Sequence, residues 1–302
     1  MKDIGRLLTA MVTPFDGTGE VDYDQAGRLA KALVASGSDG LVVTGTTGEN
    51  PSLFHDENVK LWEAVKEAVG DSASMVAGSG TNGTGETIHL SQEAERIGAD
   101  ALLLVVPYYN KPAQEGLYRH FRAIAESTSL PCILYNVPTR TIVNMTAETT
   151  LRLAELPNVI GVKEASGDLT QIGDIIRNAP NGFRVWSGND SDVFHVMCLG
   201  GYGVISVASH LIGLQIKRMM DLVLAGDLRT AAAEHLRQLP MYKGLFTITS
   251  PIPIKYCLNR AGFDVGGLRL PLVEADPKTA AFLDELMARY TIDLPTGVTV
   301  AN

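Results

Sequence analysis

The sequence predicts an α/β fold, a parallel (β/α)8 TIM barrel with a C-terminal helical extension. Eight short, largely apolar runs recur along the first two thirds of the chain, the stretches between the early runs have helical periodicity, and beyond Ser209 only helical patterns follow. Barrels of this type take roughly 250 residues. The 302 residues are therefore expected to divide into a barrel over 1–225 and a helical extension over 226–302.

The eight runs are 7–12, 41–43, 75–77, 102–106, 133–137, 159–162, 184–186 and 203–207. Continuously apolar strands are covered on both faces, as in parallel sheets flanked by helices, and eight of them suit a closed barrel better than an open sheet. Between them, Ala26, Leu29 and Leu33, then Val59, Trp62, Val65 and Val69, then Thr87, Leu90, Ala94 and Ile97 fall on single helix faces. Gly37, Gly70 and Gly98 follow as stops suited to a left-handed cap. The junctions Gly37-Ser38-Asp39-Gly40-Leu41 and Gly98-Ala99-Asp100-Ala101-Leu102 resemble each other, as equivalent turns of a repeated unit do. Stretches 211–224, 231–239 and 279–290 read as helices, with Pro251, Pro253 and 262–267 as punctuation.

With 45% hydrophobic and 20% charged residues the chain is expected to be globular throughout. A net charge of −9 and a pI near 5.2 oppose a phosphate-tracking surface, so neither nucleic acid nor an anionic membrane is an expected partner. The longest apolar run, 101–106, is far short of the ~20 residues a spanning helix needs. No signal-peptide pattern is evident, and the expected location is the cytoplasm. Cys132, Cys198 and Cys257 suit neither a disulfide framework nor a zinc site and read as reduced core residues. The six histidines never fall at a helical i, i+4 ligand spacing, so no metal is expected.

Reactive groups in such a barrel sit where strands end and βα loops begin. Strand six ends Val159-Ile160-Gly161-Val162-Lys163-Glu164, and alternation puts Val159, Gly161 and Lys163 on one face, with free space expected over Gly161. A lysine entering an apolar lumen loses hydration, which lowers its pKa and frees a nucleophilic amine suited to attacking a ketone. The competing reading is a lysine that snorkels to water. Lys255 is a rival, but it follows two prolines in the helical extension, where a structural role is expected.

Tyr135, at the end of strand five, shares its face with Ile133 and Val137 and is either a proton relay or a packed core tyrosine. Arg140, just beyond, offers a fork for a carboxylate. Thr44-Gly45-Thr46-Thr47-Gly48-Glu49 is either a small-anion turn or an ordinary tight loop. Gly78-Ser79-Gly80-Thr81-Asn82-Gly83 fits G-x-G-x-x-G, so an NAD-binding protein is the reading from a different class. The next strand ends without the acid a ribose requires, which makes the match accidental.

Together TGTTGE at 44–49, PYYNKP at 107–112, YNVPTR at 135–140, GVKEASGD at 161–168 and GVISV at 203–207 resemble the dihydrodipicolinate synthase and N-acetylneuraminate lyase family over nearly the whole chain. The resemblance implies an imine between pyruvate and Lys163, with no cofactor. It implies a proton relay of Tyr135, Thr46 and Tyr109, the last lent by a neighbouring subunit, and a pyruvate carboxylate held by Thr47. Gly188 and Ile205 match positions whose backbone lines the pocket. A homotetramer, a pair of dimers, is implied as well. The Thr-Thr pair and Arg140 match the members that condense pyruvate with L-aspartate 4-semialdehyde. Another pyruvate aldolase of the family, such as a sialate lyase, is the alternative, and a non-catalytic barrel is a further one.

Leu53, His55, Asn82, Glu86 and Tyr108 match a cleft in which L-lysine inhibits sensitive members. Asn58 replaces a histidine found there in some of them, and Pro51 stiffens the adjoining loop. Inhibition that is partial or weak is therefore expected.

Overall fold

The computed structural model describes residues 3–295. Eight parallel strands close a barrel in sequence order: β1 Leu7–Ala10, β2 Gly40–Val43, β3 Ser74–Ala77, β4 Ala101–Val105, β5 Cys132–Asn136, β6 Val159–Glu164, β7 Arg184–Ser187 and β8 Gly203–Ser206. Around it run α1 Tyr23–Ala35, α2 His55–Val69, α3 Thr84–Arg96, α4 Gln114–Ala125, the short α5 Pro138–Thr141, α6 Ala147–Ala154, α7 Leu169–Asn178, α8 Val193–Cys198 and α9 Ser209–Leu224. Then follow α10 Leu228–Gly244, α11 Ile252–Arg260 and α12 Pro277–Met287.

Alternation along the strands separates two cores. Leu8, Ala10, Val42, Val76, Leu103, Ile133, Tyr135, Trp186 and Ile205 fill the lumen. Leu7, Leu41, Met75, Leu102, Leu134, Val162 and Val204 face outward to the helices. The two similar junctions are the same device. In each, the glycine has positive φ, 104° at Gly37 and 79° at Gly98. The glycine's own amide and the next one close the helix end, donating to the carbonyls of Val34 and Leu33 in the first junction and of Glu95 and Ala94 in the second. Asp39 and Asp100 then each accept an N–H near the start of a neighbouring strand, from Leu7 and Met75, both at 2.9 Å.

Four sequence expectations change. Strand six does not alternate from Val159: a register shift against Cys132 and Ile133 leaves Val159 with the outer core and Ile160 with the lumen, the two-against-one pattern of a bulge. The helix expected to end before Pro240 runs through it to Gly244, burying Met241 and Tyr242. The segment read as punctuation contains α11, whose prolines stand at or before its first turn, where a missing N–H costs no helical bond. Cys198 is exposed, whereas Cys132 and Cys257 are core residues. Of the expected extension, 296–302 lies outside the described residues.

Candidate active site

Tyr135 and Lys163 are partners in the β5–β6 register, and both are buried. Lys163 Nζ lies 4.3 Å from the centre of the Tyr135 ring. Burial disfavours the ammonium and lowers the Lys163 pKa to about 8, opposed by the Asp190 carboxylate and reinforced by Arg140. Burial raises the Tyr135 phenol, while Arg140 and a hydrogen bond with Thr46 pull it down. The pair therefore sets, beside a protonated phenol, an amine that gives up its proton far closer to neutral pH than an exposed lysine does. The space over Gly161 is not free as the sequence suggested. A Cβ there would stand 2.7 Å from the Trp186 ring and 2.2 Å from the Arg184 carbonyl oxygen, so the buried indole fills the space against Gly161.

A cavity of about 240 Å³ opens at the strand ends, with Thr44, Thr46, Asn50, Tyr108, Tyr135 and Arg140 in its wall. Gly78 and Gly80 complete it because strands crowd there: a Cβ on either would come within 2.4 Å of the Thr44 carbonyl oxygen or the Val105 nitrogen. The first two glycines of the G-x-G-x-x-G match are thus a packing requirement, whereas a Cβ on Gly83 would meet nothing closer than 3.9 Å. Arg140 is exposed and is tethered by an Nη2 bond to the Ser250 carbonyl at 3.2 Å.

The structure brings Tyr135, Thr46 and Arg140 together in the cavity wall, and Lys163, outside that wall, lies against the Tyr135 ring. Thr47 is buried beside Thr46 but outside the cavity wall. Gly188 donates its N–H to the Glu164 carbonyl at 2.7 Å and leaves no room for a Cβ against Ala165. Ile205 packs in the lumen. Tyr109 stands apart, 90% exposed with φ of 72°. Beside the cavity, His55 Nδ1 is 3.6 Å from Glu86 Oε1 and its ring stacks on His89 at 4.8 Å. Tyr108 bonds to the Asn82 backbone, and Leu53 packs on the outer core. Among the described residues, no group of three or more His, Cys, Asp or Glu is arranged to hold a metal ion.

Sequence reasoning missed Asp190. Its Oδ2 accepts the Val207 and Ala208 amides at 3.1 and 3.0 Å, and burial raises its pKa. An acid three residues beyond the end of a barrel strand was the available signal. The pair Asn136 and Glu164 was also missed: Asn136 Nδ2 reaches both Glu164 oxygens at 3.0 and 3.1 Å. These residues immediately follow Tyr135 and Lys163 and stitch the same two strands on their outer face.

The model of the dihydrodipicolinate synthetase family matches residues 3–289. A 4-hydroxy-tetrahydrodipicolinate synthase of Dehalococcoides mccartyi is 58% identical over 295 residues, covering 98% of this chain and 99% of that protein. The structure superposes on a dihydrodipicolinate synthase from Bacillus anthracis with a TM-score of 0.94 at 41% identity, covering 95% and 99% of the two chains. It superposes on the Cyanidioschyzon merolae protein, solved with lysine bound, with a TM-score of 0.93 at 43% identity, covering 95% and 98%. On this agreement of sequence, fold and strand-end geometry, the chain belongs to the dihydrodipicolinate synthetase family.

Proposed function

We propose that this chain is a lyase that condenses pyruvate with L-aspartate 4-semialdehyde to 4-hydroxy-tetrahydrodipicolinate, on the route to diaminopimelate and lysine. The observation that carries the reading is the buried Lys163 amine, its pKa lowered to about 8, beside the Tyr135 ring at the cavity edge. The amine attacks C2 of pyruvate. The ketone oxygen leaves as water, its protons relayed by Tyr135 and Thr46, and loss of a C3 proton gives an enamine. C3 then attacks the aldehyde carbon of the second substrate. The amine of that substrate attacks C2, closes the ring and expels Lys163, so water is released once and the lysine is regenerated without a cofactor. Thr47 holds the pyruvate carboxylate, with the backbone at Gly188 and Ile205 beside it. Arg140, exposed at the cavity mouth, receives the carboxylate of the second substrate, which favours this acceptor over the uncharged sugar aldehyde a sialate lyase would use.

An aromatic side chain 90% exposed on a loop, Tyr109, supports a homotetramer in which a neighbouring subunit receives it and completes its relay. Leu53, His55, Asn82, Glu86 and Tyr108 form the cleft for L-lysine as inhibitor. The enzyme works in the cytoplasm without a nucleic-acid or membrane partner, consistent with its net charge of −9. Trapping with pyruvate and borohydride tests the reading: one reduced pyruvate is expected on the peptide containing Lys163, and labelling that survives Lys163→Ala would sink it. A coupled assay over a panel of aldehydes tests the acceptor.

A further inference from the structure

The loop 44–50 enters and leaves through a backbone region that side chains other than glycine occupy only when their surroundings hold them there: φ is 57° at both Thr44 and Glu49. Both ends are held. Trp62 Nε1 donates to Thr44 Oγ1 at 2.8 Å. At the other end Lys255 Nζ is 2.7 Å from Glu49 Oε1, with both side chains 1% exposed, and the Arg269 amide donates to Glu49 Oε2 at 3.1 Å. Lys255 also donates to the Gly267 carbonyl at 2.7 Å and lies 4.1 Å from the centre of the Phe15 ring. Arg269 clasps Glu57 through two bonds of 2.7 Å. One end of the loop is therefore fastened to α2 and the other to residues at and beyond α11.

A buried ion pair seldom stabilises more than apolar residues of the same volume; its best-attested use is to specify one arrangement. Here the arrangement is that of the residue following Thr46-Thr47-Gly48. The Glu49 amide donates to the Thr46 carbonyl at 3.1 Å. Gly48 between them cannot absorb a shift: Thr13 Oγ1 donates to its carbonyl at 2.6 Å, and a Cβ on it would meet the Met11 carbonyl oxygen at 3.1 Å. Movement of Glu49 is thus passed to Thr46 and Thr47.

We propose that Lys255 is a positioning residue for the candidate active site: through its buried pair with Glu49, the C-terminal helices fix the loop that carries Thr46 and Thr47. The proposal rests on the pyruvate-imine reading, and the experiment separates the two. Wild type, Lys255→Met, Thr46→Val and the double variant are compared in steady-state kinetics, in borohydride trapping and in thermal unfolding. Lys255→Met should keep the Lys163 adduct yet lose about 30-fold in kcat, and should add little more than about twofold to Thr46→Val, because residues acting through one group are not additive. A kcat within about twofold of wild type despite a lower Tm would reduce Lys255 to a stabilising residue, and losses that multiply in the double variant would break the link to Thr46. If Lys255→Met fails to fold, Glu49→Gln, of the same shape, is judged by the same two criteria. Absence of the adduct in the wild type itself would defeat the imine reading on which the proposal stands.

Discussion

Lys163 and Tyr135 face each other across adjacent barrel strands in a fixed register, with Nζ 4.3 Å from the ring centre. That register is secured one residue further along each strand by Asn136 and Glu164 on the opposite face. The polar outer lock and the reactive inner pair are consequences of the same alternation.

The rate of imine trapping should rise with pH through about 8, because burial lowers Lys163 to that value and only the neutral amine attacks. Asp190 opposes that shift and Arg140 reinforces it. Asp190→Asn should therefore move the rising limb to lower pH and Arg140→Ala to higher pH. A limb that stays in place in both variants would show that neither charge reaches the amine.

The same shift has a stability counterpart. The folded-state pKa of Lys163, about 8, lies below the 10.5 of a lysine in water. Between those values the unfolded chain binds more protons, so this group's destabilising effect is full below about 8 and fades as pH rises towards the unfolded pKa. Lys163→Met should raise Tm at pH 7 and lose that advantage by pH 10. A gain that is flat with pH would trace to packing, not charge. Lys255, also lowered to about 8, is present in both proteins and cancels in the comparison.

How much of this was readable from the sequence follows from the range of each interaction. Strand starts, the glycine stops and the inward face of Lys163 and Tyr135 are local consequences of alternation and capping, and residues within a few positions declare them. The bulge that turns Ile160 into the lumen depends on pairing with Ile133. The indole against Gly161 comes from another strand, and the partner of Lys255 lies 206 positions away. Such contacts leave no periodic trace. The structural role expected of Lys255 agrees with its buried pair with Glu49, but the prolines that suggest it only open α11 and say nothing about where the side chain ends.

Gly161→Ala should destabilise the barrel by about 2–4 kcal/mol, since its Cβ would sit 2.2 Å from the Arg184 carbonyl oxygen in a closed wall. Gly173→Ala, inside α7 with nothing within 4 Å of the new atom, should instead stabilise by up to about 1 kcal/mol. Chemical denaturation of the two variants checks the contrast, and equal effects would contradict the packing argument.

Arg140→Ala should raise KM for the aldehyde more than KM for pyruvate. Arg140 is exposed at the cavity wall and donates to the Ser250 carbonyl, whereas the proposed function gives the pyruvate carboxylate to Thr47. Equal losses for both substrates, or none, would remove it from the acceptor site.

Tyr109, the relay member of the proposed function, is exposed in the isolated chain. Variants that dissociate the dimer without unfolding should lose kcat at least about tenfold, as removal of a positioned proton donor does. A monomer, verified by sedimentation, with full activity would show that Tyr109 is not lent across an interface.

Lysine inhibition should be partial or weak and should depend on Glu86. The carboxylate of Glu86, 3.6 Å from His55, is the natural partner for an ammonium of lysine, and Asn82 for its carboxylate. The route from this cleft to the cavity is short: Asn58 of α2 accepts from Asn50 Nδ2 at 3.3 Å, Asn50 lines the cavity with Thr46, and Tyr108 touches both sites. Asn58 is itself buried and bonded to the Phe54 carbonyl at 3.2 Å. It offers no charge to the cleft where some lysine-sensitive relatives have a histidine, and Pro51 limits how far the loop moves. A coupling at the low end of the usual range, about 1 kcal/mol, follows. Titrating L-lysine into wild type and Glu86→Ala decides the matter: partial inhibition that disappears in the variant is expected, identical curves would take Glu86 out of the site, and no inhibition of the wild type at millimolar lysine would remove the regulation.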